Sequence, residues 1–113
     1  MKCVAMAIAS LAFVAPACAQ KYFKTGAELV RECASPEPFL RGACSGYIVG
    51  QIDALEGGRY TQGKGSCLTG SPSVEEIVAM FTGVLRANDA YASDLPASVS
   101  IANIYRANCA NPN

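Results

Sequence analysis

The chain has 113 residues, nine basic against nine acidic side chains, and no histidine. That length holds one small domain. Its basic residues are scattered rather than clustered among aromatics, which gives no footprint for nucleic acid or an anionic membrane. The missing histidine removes imidazole general-base chemistry and histidine metal ligation.

The first nineteen residues read as an export leader. Met1-Lys2 is a short basic start, residues 4–14 are almost wholly apolar, and Ala17-Cys18-Ala19 has the small-x-small pattern of a cleavage site. The apolar run is shorter than the roughly 20 residues that a membrane-spanning helix needs. A signal peptide over residues 1–19, cleaved after Ala19, is therefore expected. It leaves residues 20–113 as a single domain in the periplasm. A lipid-anchored Cys18 is the alternative, and Pro16 beside it with Ala15 in place of a leucine speaks against it.

Two of the six cysteines lie in that leader, and Cys33, Cys44, Cys67 and Cys109 remain. An even number in a short exported chain reads as a disulfide framework, and no Cys-x-x-Cys pair suggests a metal knuckle or a redox site. Three pairings are open. Cys33–Cys44 with Cys67–Cys109 is preferred, because the first staples neighbouring helices and the second ties down the C-terminal end.

Four amphipathic segments follow the leader. Thr25 with Glu28 forms a candidate capping box for a first helix ending near Ala34, where Ser35-Pro36-Glu37-Pro38 breaks the chain. The second helix is expected over residues 38–55, with Leu40, Ala43, Cys44, Tyr47, Ile48, Gln51 and Leu55 at a period near 3.6. Gly57-Gly58 is read as its stop, and residues 57–71 as a loop pinned by Cys67.

Ser73 with Glu76 opens the third helix, whose stripe is Val74, Ile77, Val78, Phe81, Val84 and Leu85 and whose end is near Asn88-Asp89. The fourth runs from about Pro96 to Asn108, turning Val99, Ala102 and Tyr105 inward with Ile101 or Ile104. The expected fold is all-α, a small four-helix domain stapled by two disulfides.

Gly42, Gly46 and Gly50 recur every fourth residue and so lie along one side of the second helix. Helix glycines on one face imply close approach of another surface. A second helix of the same domain is the preferred occupant, and a partner or a second copy of the chain is the other. Nothing resembles a catalytic centre. Glu28 and Glu32 are one turn apart and read as solvent-facing charges, and the loop's Gly63-Lys64-Gly65 lacks a phosphate-loop ending. Asp53 is expected to hydrogen-bond the loop that follows. Together with Arg59, Tyr60 and Lys64 it is also a candidate partner contact, since Tyr and Arg are favoured at interface centres. No cofactor or metal is called for.

A first-helix cysteine, then Cys44-Ser45-Gly46-Tyr47-Ile48-Val49-Gly50 with Asp53, then Cys67, a capped helix and a late cysteine resembles the Rap/Tai family of type VI secretion amidase immunity proteins. The resemblance extends from about Gly26 to Cys109. It implies a compact helical domain with internal disulfides that binds and blocks a peptidoglycan-cleaving amidase in the periplasm, with a homodimer as one arrangement. A general periplasmic scaffold or stress-related binding protein is the alternative. The chain departs from the family pattern at Asn88-Asp89, where a His-Pro pair is common, and at Asn108, where proline is common.

Overall fold

The computed structural model describes residues 23–110. The expected leader, its cleavage after Ala19 and the alternative lipid site at Cys18 lie outside the described residues. Four α-helices follow in order: α1 Gly26–Cys33, α2 Pro38–Thr61, α3 Val74–Ala87 and α4 Ala97–Ala110.

Both capping boxes form. The Thr25 N–H donates to Glu28 Oε2 at 2.8 Å while the Glu28 N–H donates to Thr25 Oγ1 at 3.2 Å. Ser73 and Glu76 repeat the exchange at 2.7 and 3.2 Å. Each pair satisfies helix-end N–H groups that the helix itself leaves open. The N-terminus of α2 instead starts on Pro38, whose missing N–H costs nothing in a first turn.

The central helix is α2, which contacts the other three. Its inner side buries Cys44, Ile48 and Ile52 against Leu29 of α1, Phe81 and Leu85 of α3, and Ala97, Ile101, Ile104 and Tyr105 of α4. Full removal of side chains of this size from water stabilises by roughly 1.5–3 kcal/mol each. Three residues expected inward are partly solvent-facing: Val74, Val84 and Val99 stand at the edge of their stripes. Ile101 and Ile104 are both buried, so α4 turns a wider face to the core than its apolar pattern shows.

Both cysteine pairs are joined as expected: Cys33 to Cys44 and Cys67 to Cys109. The first fastens α1 to α2 across the Pro36–Pro38 turn, and the second fastens the α2–α3 loop to the last turn of α4.

The start of α1 is locked by a different contact. The Gly26 N–H donates to the Leu95 carbonyl at 2.8 Å, Ala27 N–H to Ser93 O at 3.0 Å, and Ala97 N–H to Lys24 O at 2.8 Å. This short antiparallel pairing, with Thr25 bridged to Pro96, joins the α1 entry to the α3–α4 connection. Ser100, fully buried, donates to the Tyr91 carbonyl at 3.1 Å and holds the same connection from the α4 side.

One boundary differs from expectation. Helix α2 does not stop at Leu55 but passes through Gly57-Gly58 to Thr61. Each glycine costs about 1 kcal/mol against alanine in a helix. Glu56 and Arg59 lie in the extension and bind the loop, and these contacts act against that cost. The chain turns only at Gly63, which has φ 68°.

Candidate functional site

The outer side of α2 carries Phe39, Gly42, Gly46, Gly50, Asp53, Gly57 and Tyr60, spaced three or four residues apart and all exposed. They lie opposite Cys44, Ile48 and Ile52, which explains why none of the described elements covers them. Among the described residues, a Cβ added at Gly42, Gly46, Gly50 or Gly57 would meet nothing within 4 Å. This corrects the preferred reading of the glycine row. It is not a helix-packing surface inside the domain, because α2 turns its large residues to the core and its smallest ones to solvent. The result is a smooth track along α2, ended by two aromatic rings, Phe39 and Tyr60, each 83% exposed.

The four candidate contact residues separate. Asp53 and Tyr60 stand on this track, and Lys64 is exposed on the loop that follows it. Arg59 points the other way: its Nε donates to the Gly65 carbonyl at 2.8 Å, while its own carbonyl accepts from the Gln62 and Lys64 N–H groups at 3.0 Å each. Arg59 is thus spent on folding the turn that presents Lys64.

The loop-holding role expected of Asp53 belongs to Glu56. Glu56 Oε1 accepts the Cys67 N–H at 3.0 Å and the Tyr105 hydroxyl at 2.5 Å, and Asn108 Nδ2 donates to the Cys67 carbonyl at 3.1 Å. Glu56 lies three positions after Asp53, so it turns toward α4 while Asp53 faces solvent. Separating the two requires knowing on which side of α2 Tyr105 sits.

Partial burial pushes the Glu56 carboxyl up, but hydrogen bonds from Tyr105, Ser66 and the Cys67 amide, with the Arg59 charge, outweigh it and leave it below its ordinary value. Burial, reinforced by the hydrogen bond and charge of Glu56, pushes the Tyr105 hydroxyl up to about 12. Glu56 stabilises the fold fully above its unfolded value of 4.5, and that stability is lost as pH falls through the lower folded value. Tyr105 stabilises fully below 10.0, and its share is lost as pH rises through about 12. Melting temperature against pH for wild type and Tyr105→Phe should therefore differ most between these limits and converge on both sides. A difference that stays flat across the acid and alkaline limbs would exclude the coupling.

The carboxylates of α1 are also occupied. Glu28 serves the capping box and Glu32 pairs with Lys24, whose ammonium lies 5.4 Å from the centre of the Tyr47 ring. These residues line an open cleft of about 640 Å³ with Phe23, Gln51 and Ser98. The first-helix carboxylates thus cap α1 and pair with Lys24. Among the described residues, no helix is long and apolar enough to cross a membrane.

The family model of the Rap1a immunity proteins matches the chain over residues 25–109. The chain belongs to that family. No curated protein and no solved structure matches it. The family match opens on the capping residue of α1 and closes on the second cysteine of the α4 bridge, so it takes in all four helices and both disulfides. Membership of this Rap1a family suggests an immunity protein against a secreted effector and implies a role carried out by binding a protein partner. Two disulfides in so small a domain are consistent with an exported chain.

Proposed function

We propose that the chain is a periplasmic immunity protein that neutralises a peptidoglycan-cleaving amidase delivered by type VI secretion. Asp53, Tyr60 and Lys64 would contact the effector. The observation that carries this reading is the bare outer face of α2. A glycine track admits a partner's backbone closely, and Tyr60 at its end offers a rigid ring with a polar tip. Aromatic residues in such positions dominate binding energy at protein interfaces. Inhibition would be stoichiometric, by covering the amidase cleft. The apolar leader and the two bridges support the periplasm as the place of action.

A second reading is favoured by one specific pattern. Six of the seven exposed positions mirror one another about the Val49–Gly50 peptide: Phe39 with Tyr60, Gly42 with Gly57, and Gly46 with Asp53. Two copies of α2 laid antiparallel would bring ring against ring and glycine against glycine, which is the self-matching a two-fold interface requires. In this arrangement the effector is met by the Lys64 loop alone.

The test uses the oxidised protein, a panel of exported cell-wall amidases and a peptidoglycan-cleavage assay. Wild type should inhibit one amidase at a one-to-one ratio. Tyr60→Ala should weaken the complex by about 2 kcal/mol, roughly 30-fold. Light scattering on the free protein separates the readings: a dimer lost in Gly46→Arg supports the two-fold. Failure to bind or inhibit any amidase leaves a general periplasmic scaffold as the better description.

A further inference from the structure

The α2–α3 connection, residues 62–73, is almost wholly exposed, and Cys67 is its one buried residue. Four groups from two helices converge on that residue. Glu56 of α2 takes its N–H at 3.0 Å, and Asn108 of α4 donates to its carbonyl at 3.1 Å. Tyr105 of α4 fixes the Glu56 carboxylate at 2.5 Å, and Cys109 takes the sulfur. Tyr105, Asn108 and Cys109 are neighbours on one side of α4, at spacings of one helical turn and one residue. Three of these four contacts are polar and need no disulfide to form.

The two bridges differ in what their formation requires. Cys33 and Cys44 are 11 residues apart and are brought together by the α1–α2 turn alone. Cys67 and Cys109 are 42 residues apart, and an exposed loop would wander past its partner without a local hold. We propose that Glu56, Tyr105 and Asn108 form a cradle that seats Cys67 against Cys109 before their bond exists, and so direct this pairing over the competing ones. Glu56 and Tyr105 are positioning residues in this scheme.

The chemistry is thiol–disulfide exchange with a small disulfide oxidant such as oxidised glutathione. One cysteine thiolate attacks the oxidant, breaking its S–S bond and releasing one glutathione thiolate. The second cysteine thiolate then attacks the protein sulfur of the mixed disulfide and expels the other glutathione. Two electrons pass from the cysteine pair to the oxidant, and the two thiol protons end on the released glutathiones. The cradle acts only on the second step, by raising the local concentration of one sulfur at the other. A hydrogen bond to a charged group is strong enough to change that concentration about tenfold or more.

The experiment reduces the mature chain, residues 20–113, and reoxidises it in a glutathione buffer, with alkylation and peptide mapping at intervals. Wild type, Glu56→Gln and Tyr105→Phe are compared in buffer and in denaturant. The expected result is that both variants form Cys67–Cys109 about tenfold more slowly in buffer, with mispaired Cys67 accumulating. The Cys33–Cys44 bridge should form at the wild-type rate, and in denaturant all three proteins should behave alike. Equal slowing of both bridges would mark general destabilisation and overturn the proposal, as would unchanged pairing in both variants. If a variant is too unstable to refold, its oxidised form is equilibrated with glutathione instead. A selectively lowered Cys67–Cys109 equilibrium constant supports the cradle, and an unaltered one overturns it.

Discussion

Replacing Cys67 and Cys109 together by serine is expected to cost about 4 kcal/mol of stability, and the same change at Cys33 and Cys44 about 3 kcal/mol. The order follows from the closed loops, 42 residues against 11, since the longer one removes more freedom from the unfolded chain. A domain of this size has roughly 5–10 kcal/mol in all. Loss of the longer bridge should therefore lower the melting temperature by on the order of 20 °C. The polar contacts to Cys67 moderate the structural consequence. Glu56 and Asn108 still hold the loop backbone, so hydrogen exchange in residues 62–73 should rise less in the double serine variant than in that variant with Glu56→Gln added. Thermal melts of the two double variants check the order, and a larger loss at Cys33–Cys44 would contradict the loop-closure account.

Much of the frame is visible in local patterns because its causes are local. The Thr25–Glu28 and Ser73–Glu76 spacings mark helix starts, since each pair closes within one turn and needs no other part of the chain. An even cysteine count leaves three disulfide pairings open, and helix order favours the one that is present, Cys33–Cys44 with Cys67–Cys109. What stays hidden depends on which way a helix faces. Glu56 and Asp53 are both acidic residues near the end of α2, and only the position of Tyr105 decides which of them holds the loop. The glycine row is read as buried because helix glycines usually record close approach. Its neighbours Cys44, Ile48 and Ile52 already claim the inner face, and that phase could have placed the row outside. Gly57-Gly58 misleads in the same way: a weak local penalty is opposed by contacts made with residues further along.

The glycine that close packing does require is Gly26, and its substitution should separate cleanly from those in the row. A Cβ at Gly26 would lie 1.8 Å from the Tyr91 carbonyl oxygen, and the obstacle is backbone, which cannot swing aside as a flexible side chain can. Relief would mean parting the α1 entry from the α3–α4 connection, with loss of the hydrogen bonds to Leu95 and Ser93 and disturbance of the buried Ser100 contact. Gly26→Ala is therefore expected to destabilise by about 3 kcal/mol or more, at the upper end of overpacking costs. Nothing local in the sequence announces this, since Tyr91 is far along the chain. The one sign is a glycine at the first helical position, where ordinary helix formers serve as well. Gly46→Ala and Gly50→Ala should have the opposite sign, each stabilising by up to about 1 kcal/mol, because an exposed helix glycine is replaced without meeting any atom of the described residues. Denaturant unfolding of the three variants decides the matter. The same row variants then report on function. If α2 presents its track to an amidase or to a second copy, Gly46→Ala should raise stability while weakening association. A variant that is both more stable and fully able to associate would move the contact surface off α2 and onto the Lys64 loop.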